Sequence, residues 1–286
     1  MILAPLRGVT IRCFREVFSA AIREAGFTEA ITPFIPAIRG FDPLKDRELG
    51  RGESELAKVT PQFIGKDPEA LRVCLRRIRA AGWTTADLNS GCPFPMVRNK
   101  GRGSGLLRTP EVLRRMLEAG CETMGEHAFS IKTRLGVDSA DELEKIMPII
   151  NDFPLRFLTV HGRIARQMYE GEVDFAAVER VVGSSKVPIV LNGDMTVDSS
   201  VPAGGKVIDI MVGRAFVRSL GERDDIDALL ADYIERSANE LSGDRPVLGR
   251  LKELISYFKD SPRWQRRWQV IKRAASVEEL RSCLKS

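Results

Sequence analysis

The sequence predicts an α/β fold: a (β/α)₈ TIM barrel carrying a small, all-helical C-terminal domain. Three observations lead there. Eight short β-type runs alternate with amphipathic helical stretches as far as Val212. Nearly every unusual polar or glycine-rich feature follows the end of one of those runs. After Arg218-Ser219-Leu220-Gly221 the strand signal stops, and the pattern is helical and charged from there on. Strands separated by helices make βαβ units and a parallel sheet, and eight such units predict a closed barrel. An open, doubly wound sheet is the alternative. The 286 residues accommodate a barrel of roughly 200–240 residues with an appendage.

The runs are taken in order. Predicted strands are Ile2–Pro5, Ala30–Phe34, Lys58–Ile64, Thr85–Asn89, Ala128–Thr133, Arg156–Val160, Pro188–Leu191 and Ile208–Val212. Helical patterns between them cover Arg12–Ala25, Pro68–Ala81, Pro110–Met124, Ala140–Asn151 and Phe175–Val182. Asp67-Pro68, Thr109-Pro110 and Asp138-Ser139 read as helix starts, with a capping side chain before the first turn. Beyond the last strand, Ser242-Gly243-Asp244-Arg245-Pro246 is a break. Leu251, Leu254, Ile255 and Phe258 then mark one buried helix face. The predicted division is 1–228 for the barrel and 229–286 for the helical domain.

Composition narrows the function classes. Five cysteines at wide spacing, Cys13, Cys74, Cys92, Cys121 and Cys283, with only two histidines, argue against a disulfide framework, zinc or a histidine-rich metal site. No stretch has the length of a signal-peptide core or a membrane span. The expected compartment is a reducing cytoplasm. Twelve Lys/Arg against six Asp/Glu between Arg236 and Ser286 give +6, while the whole chain carries +5. The positive excess is therefore confined to the C-terminal fifth, which suggests a polyanion-binding appendage on a near-neutral body, or a solvated helical surface.

The features at the strand ends carry the chemistry, because in a (β/α)₈ barrel those ends converge on one face. Asn89-Ser90-Gly91-Cys92-Pro93 delivers a thiol on a tight turn. The basic, glycine-rich loop Arg98-Asn99-Lys100-Gly101-Arg102 follows it. A thiol with an ordinary pKa is protonated at neutral pH and can act as an acid, and no adjacent base argues for a nucleophile. Lys132, in a β pattern, needs an anionic or electron-rich partner if it points into the barrel mouth. His161 follows the run Phe157–Val160, with Arg163 close behind. Asn192-Gly193-Asp194 and Gly213-Arg214, ahead of helical stretches, have the makings of a phosphate site after strands seven and eight. In the tail, Arg250 and Lys252 lie among other bases and aromatics, while Trp264 and Trp268, four apart, read as a core pair.

These residues resemble the tRNA-dihydrouridine synthases. The matching pieces, in order, are Leu3-Ala4-Pro5-Leu6-Arg7-Gly8-Val9-Thr10, Gln62 before Gly65, and Asp87-Leu88-Asn89-Ser90-Gly91-Cys92-Pro93. Then come Lys132-Thr133-Arg134-Leu135-Gly136, Val160-His161-Gly162-Arg163, Asn192-Gly193-Asp194 and Val212-Gly213-Arg214. The tail Arg250–Tyr257 looks closest to the bacterial C-class enzymes, which modify a D-loop uridine at position sixteen. One stretch departs from the family pattern: Thr32-Pro33-Phe34-Ile35-Pro36 has prolines where the family usually shows an acid and, in the C class, a base.

The resemblance implies an FMN-bearing barrel, a helical tRNA-binding domain and NADPH as reductant. Pro5, Leu6, Arg7, Gln62, Lys132 and His161 would hold the flavin ring and ribityl region. Asn192, Gly193, Asp194, Gly213 and Arg214 would hold its phosphate. Asn89 and Arg134 would face the target uridine, Arg163 the substrate or RNA, and Arg250 and Lys252 the RNA. Cys92 would protonate C5 after hydride delivery to C6 of an extruded uracil. Two other readings stay open: a flavin barrel acting on a free pyrimidine or other small molecule, and a non-catalytic tRNA-binding or folding factor.

Overall fold

The computed structural model describes residues 1–49, 58–201 and 205–285. Ten parallel β segments form one sheet: β1 (Ile2–Leu3), β2 (Glu29–Ile31), β3 (Ile35–Pro36), β4 (Val59–Thr60), β5 (Gln62–Ile64), β6 (Ala86–Ser90), β7 (Phe129–Gly136), β8 (Leu158–Ile164), β9 (Ile189–Asn192) and β10 (Val207–Val212). The predicted second and third strands are each split in two at a proline, Pro33 and Pro61, which have no N–H to offer the ladder. β2 pairs with β4 and β3 with β5, so the two split strands lie side by side. With β5 on β6 and β1 between β10 and β2, the ladder returns to its start and the eight predicted strands close a barrel.

The helices are α1 (Arg12–Val17), α2 (Ser19–Glu24), α3 (Pro68–Ala80), α4 (Pro95–Arg98), α5 (Pro110–Met124), α6 (Glu142–Ile150), α7 (Phe175–Ser184) and α8 (Arg214–Leu220). After them come α9 (Ile226–Glu240), α10 (Asp244–Ile255), α11 (Pro262–Ile271) and α12 (Val277–Lys285). Of the three predicted starts, Asp67 does cap α3, accepting from the N–H of Glu69 at 3.1 Å and Ala70 at 3.3 Å. Thr109 bonds backward to the Leu106 carbonyl instead. α6 begins four residues later than Asp138, because the Glu142 carboxylate accepts from the N–H groups of Val137, Asp138 and Ser139 and ties the preceding turn to the helix.

Strand alternation decides what faces the barrel interior. On β6, Ala86 and Leu88 join the apolar layer beneath the outer helices, with Ile131 of β7 and Leu158 and Val160 of β8. The intervening residues point inward: Asp87 and Asn89, then Ser130, Lys132 and Arg134, then Thr159, His161 and Arg163. The register stacks them in tiers, Gln62 beside Asp87 and Ser130, Asn89 beside Lys132, and Arg134 beside His161 and Asn192. A small apolar plug of Ile2, Ala4, Ile31, Phe157, Val190 and Met211 fills part of the interior. Elsewhere within it, the bidentate Arg156–Glu29 pair, both bonds 2.6 Å, satisfies the buried carboxylate.

A second apolar cluster crosses the predicted domain boundary. Phe14, Phe18 and Phe216 share it with Tyr233, Leu251, Leu254 and Trp264. Trp264 is fully buried, donates Nε1–H to the Gly221 carbonyl at 2.7 Å and packs on Phe258. The C-terminal helices are thus docked on the α1–α8 side of the barrel through a continuous core.

Candidate active site

A cavity of about 240 Å³ opens at the carboxyl ends of the strands. Most of the predicted site residues line it: Pro5, Leu6, Arg7, Asn89, Cys92, Lys132, Arg134, His161, Asn192, Gly193, Asp194, Gly213 and Arg214. Gln62, Arg163, Arg250 and Lys252 do not.

Cys92 is held by its own turn. The Asn89 side-chain oxygen accepts from the N–H of Gly91 at 3.2 Å and of Cys92 at 2.9 Å. The Cys92 carbonyl accepts from the Ser104 hydroxyl at 2.9 Å and the Ser104 N–H at 3.1 Å. Gly103 sits against it at φ +57, where a Cβ would lie 2.8 Å from that of Cys92, so the basic loop folds back onto the thiol only with glycine there. Burial raises the Cys92 pKa, opposed by the nearby cations Arg7, Arg134 and Lys132. The group is therefore a thiol at neutral pH.

Lys132 has no hydrogen-bond or ion-pair partner among the described residues, although it lines the cavity. Burial pushes its pKa down to about 7, with the Arg134 charge adding to the effect and Asp87 opposing it. An ammonium in this position calls for an electron-rich ligand.

Arg134 ties two walls together. Its Nε donates to the Gly91 carbonyl at 3.0 Å and its Nη1 to the Ile164 carbonyl at 3.1 Å. Burial lowers its pKa to about 10, which leaves it charged at neutral pH.

His161 is neutral: burial first, then Arg134, Lys132, Arg163 and Arg214, drive its pKa well below the ordinary range. Arg163 Nη1 donates to Nε2 at 3.3 Å, so the ring proton resides on Nδ1.

Arg163 is 2% exposed and lies behind the wall. It clamps the Asp194 carboxylate through both terminal nitrogens and donates to the carbonyls of Glu170 and Gly171. It does not line the cavity itself. Arg214 also binds Asp194, at 3.0 Å. Two arginines against one carboxylate leave that corner positive, and the exposed Arg218 adds to it. The corner's backbone is left-handed at Gly193, φ +108, and at Asp194, φ +47. A Cβ on Gly193 would lie 2.9 Å from the His161 ring, so only glycine fits beside it.

Gln62 acts one tier below the cavity. Its Nε2 donates to Asp87 at 2.8 Å and its Oε1 accepts from Asn89 at 2.8 Å. Arg250 pairs with Glu240 at 2.8 Å, and Lys252 donates to the carbonyls of Lys272 and Ala274. Both hold the C-terminal helices together. Pro33 and Phe34, from the stretch that departs from the family pattern, reach the wall, and the Arg7 guanidinium stacks on Phe34 at 5.1 Å.

Sequence reasoning missed Tyr169. It lines the cavity with the guanidinium groups of Arg134 and Arg214 each 5.2 Å from its ring centre, and Phe94 lies 6.4 Å away. It follows Met168, itself at φ 51, in an irregular loop with no periodic signal. Among the described residues no group of acids, histidines and cysteines could hold a metal ion, and no helix is long and apolar enough to cross a membrane.

Residues 2–219 match the family model for dihydrouridine synthase. The chain is 30% identical over 199 residues to tRNA-dihydrouridine synthase B of Vibrio cholerae, covering 68% of this chain and 60% of that protein. It is 29% identical over 204 residues to tRNA-dihydrouridine(16) synthase of Shigella flexneri, covering 68% and 64%. The chain thus spans about 60% of the length of the curated relatives it matches. Proteins of both classes match almost equally, so the comparisons do not single out a target uridine. Among solved structures, the old yellow enzyme homologue from Zymomonas mobilis aligns with a TM-score of 0.56 at 12% identity, over 76% of this chain and 85% of that one. That likeness establishes the barrel fold alone.

Proposed function

The chain belongs to the dihydrouridine synthase family, and from that premise we propose that it reduces the C5=C6 bond of a tRNA D-loop uridine, using FMN and NADPH. The observation that carries the reading is the juxtaposition, in one cavity, of a thiol kept protonated by burial and a lysine with no internal partner.

The residues suit a flat, electron-rich cofactor with a phosphate tail. Pro5, Leu6, Arg7, Lys132 and His161 would hold the ring and ribityl region, and Gln62 would support them from beneath through Asn89. Asn192, Gly193, Asp194, Gly213 and Arg214 would hold the phosphate, with the Asp194 charge already offset by Arg163 and Arg214. A flavin bound there would supply the hydride that saturates C6 of the uracil. Cys92 then donates its Sγ proton to C5 and is reprotonated from solvent, so no base beside the thiol is required. Asn89, Arg134 and Tyr169 would face the extruded base, with Arg163 supporting the wall behind them.

Substrate size separates RNA from a free pyrimidine. The guanidinium groups of Arg98 and Arg102 have no hydrogen-bond or ion-pair partner among the described residues, and their loop packs on Cys92 through Gly103. Unpaired cations on the loop that packs on the acid favour a substrate with phosphates flanking the reacting base. In the C-terminal helices α9–α12, the exposed Arg266, Lys272 and Arg273 would add contacts, with Arg250 and Lys252 bracing the surface that carries them. Five cysteines at wide spacing suit a reducing cytoplasm.

Replacing Cys92 with Ala is expected to leave flavin binding and its reduction by NADPH intact while abolishing dihydrouridine, read by mass spectrometry of the tRNA. Wild-type turnover by Cys92→Ala would overturn the proton-donor role. Reduction of free uracil but not of tRNA by the unaltered protein would favour the small-molecule reading.

A further inference from the structure

We propose that Asp87 is a positioning residue that sets the direction of a hydrogen-bond relay, and that the relay makes the cavity floor select a pyrimidine presenting a carbonyl over one presenting an amino group. This deepens the proposed reduction of uridine and rests on that reading.

Asp87 is fully buried on β6. One carboxylate oxygen accepts from Gln62 Nε2 at 2.8 Å and the other from the Ser130 hydroxyl at 2.7 Å. Gln62 Oε1 accepts from Asn89 Nδ2 at 2.8 Å. Asn89 Oδ1 accepts from the N–H groups of Gly91 and Cys92. Burial raises the Asp87 pKa to about 6, against its Ser130 and Gln62 hydrogen bonds, which leaves it mostly ionised at neutral pH. The two ends of this chain are then chemically fixed, because an ionised carboxylate only accepts and a backbone N–H only donates. Each amide between them therefore has one permitted orientation. Flipping either would set donor against donor and leave buried groups unpaired.

The consequence reaches the ligand. Asn89 spends its oxygen on the Cys92 turn and one amide hydrogen on Gln62. The remaining N–H belongs to a side chain that lines the cavity. Its register neighbour Lys132 is a second donor. The fixed Asn89 N–H, with the protonated Lys132 beside it, donates to a ring carbonyl, as uracil offers, and opposes the exocyclic amine of cytosine.

The test compares Asp87→Asn, which keeps an acceptor for Gln62 and a donor for Ser130, with Asp87→Leu and Gln62→Met, which break the relay at different links. One arm measures reduction of an unmodified tRNA transcript against the same transcript with its D-loop uridines replaced by cytidines. The other arm measures iodoacetamide alkylation of Cys92 in flavin-free protein, with thermal melting to confirm folding. Asp87→Leu and Gln62→Met are expected to lose about tenfold or more of the uridine preference and to alkylate faster, whereas Asp87→Asn stays close to wild type in both arms. Folded Asp87→Leu or Gln62→Met protein with wild-type preference and alkylation rate would overturn the proposal. So would an Asp87→Asn variant as impaired as Asp87→Leu, which would move the effect from polarity to charge. If the unaltered protein makes no dihydrouridine on the uridine transcript, the proposed reaction falls with its selectivity, and the alkylation arm still decides whether the relay holds the turn.

Discussion

Basic side chains occupy two different states on this molecule. At the cavity and its rim, Lys132, Arg98 and Arg102 have no acid or carbonyl partner among the described residues. In the C-terminal helices, Arg250 is paired with Glu240, Lys252 with two backbone carbonyls, and Arg267 with Asp227 and the Leu284 carbonyl. The second set lies where the sequence concentrates its positive charge. Charge counting points to the tail as a whole, while pairing separates its bound cations from the unpaired ones: Lys132, Arg98 and Arg102 on the barrel, and the exposed Arg266, Lys272 and Arg273 on the helices. A cation already bound within the protein has little left to offer a phosphate, so the pairing state, rather than the count, marks a binding surface.

Lys132 gives this contrast its sharpest test. Lys132→Met is expected to lower dihydrouridine formation by about 100-fold, the usual scale for removing a preorganised charge from an active site. It should also stabilise the flavin-free protein at neutral pH. The folded pKa is about 7, against 10.5 in the unfolded chain. Between those values the unfolded chain binds more protons, so the residue's contribution to stability rises with pH across that window. It is least favourable below pH 7. Melting the flavin-free wild type and Lys132→Met between pH 6 and pH 10 should show their difference shrinking as pH rises. A constant difference would mean that Lys132 is not a strained, unpaired cation.

The rim arginines come next in size. Arg98→Ala with Arg102→Ala should weaken tRNA binding and reduce the salt dependence of affinity, by about one unit of slope for each lost phosphate contact. Cys92 alkylation should change little, since neither guanidinium holds the turn. An unchanged salt slope would remove this loop from the RNA surface.

The two states could not be told apart in the sequence, for a physical reason. Strand alternation is local, so the inward placement of Asn89, Lys132, Arg134 and His161 was legible, as was the closed barrel. The split at Pro33 and Pro61 altered the pieces and left the order unchanged. Partners are not local. Arg163 reads from the sequence as a substrate or RNA contact because it follows His161, but Asp194, which claims it, lies on the next strand's loop. Lys252 meets carbonyls 20 and 22 residues away. Gln62 was expected at the flavin, and its link to Asp87 depends on two strands meeting in register. Tyr169 belongs to a loop shaped by Arg163 and by a left-handed Met168, neither of which leaves a periodic trace.

The smallest effects are expected in the tail, and they are effects on stability. Arg250 is 11% exposed, and the Glu240 it pairs with is 21% exposed. Removing Arg250 leaves Glu240 with only its longer 3.4 Å pairing to Arg12, so Arg250→Met should cost about 1–3 kcal/mol. Lys252 donates to the Ala274 carbonyl at 2.6 Å and the Lys272 carbonyl at 3.1 Å, closing the end of α11. Lys252→Met loses those bonds and should cost about 1 kcal/mol, because water replaces the ammonium at a partly exposed site. Both losses are read by denaturant titration. For folded protein at the same temperature, tRNA affinity and its salt slope should match wild type in both variants. A drop in salt slope in either one, without loss of stability, would show that the paired cations exchange their internal partners for phosphate, and the division between the two states would then describe only the RNA-free protein.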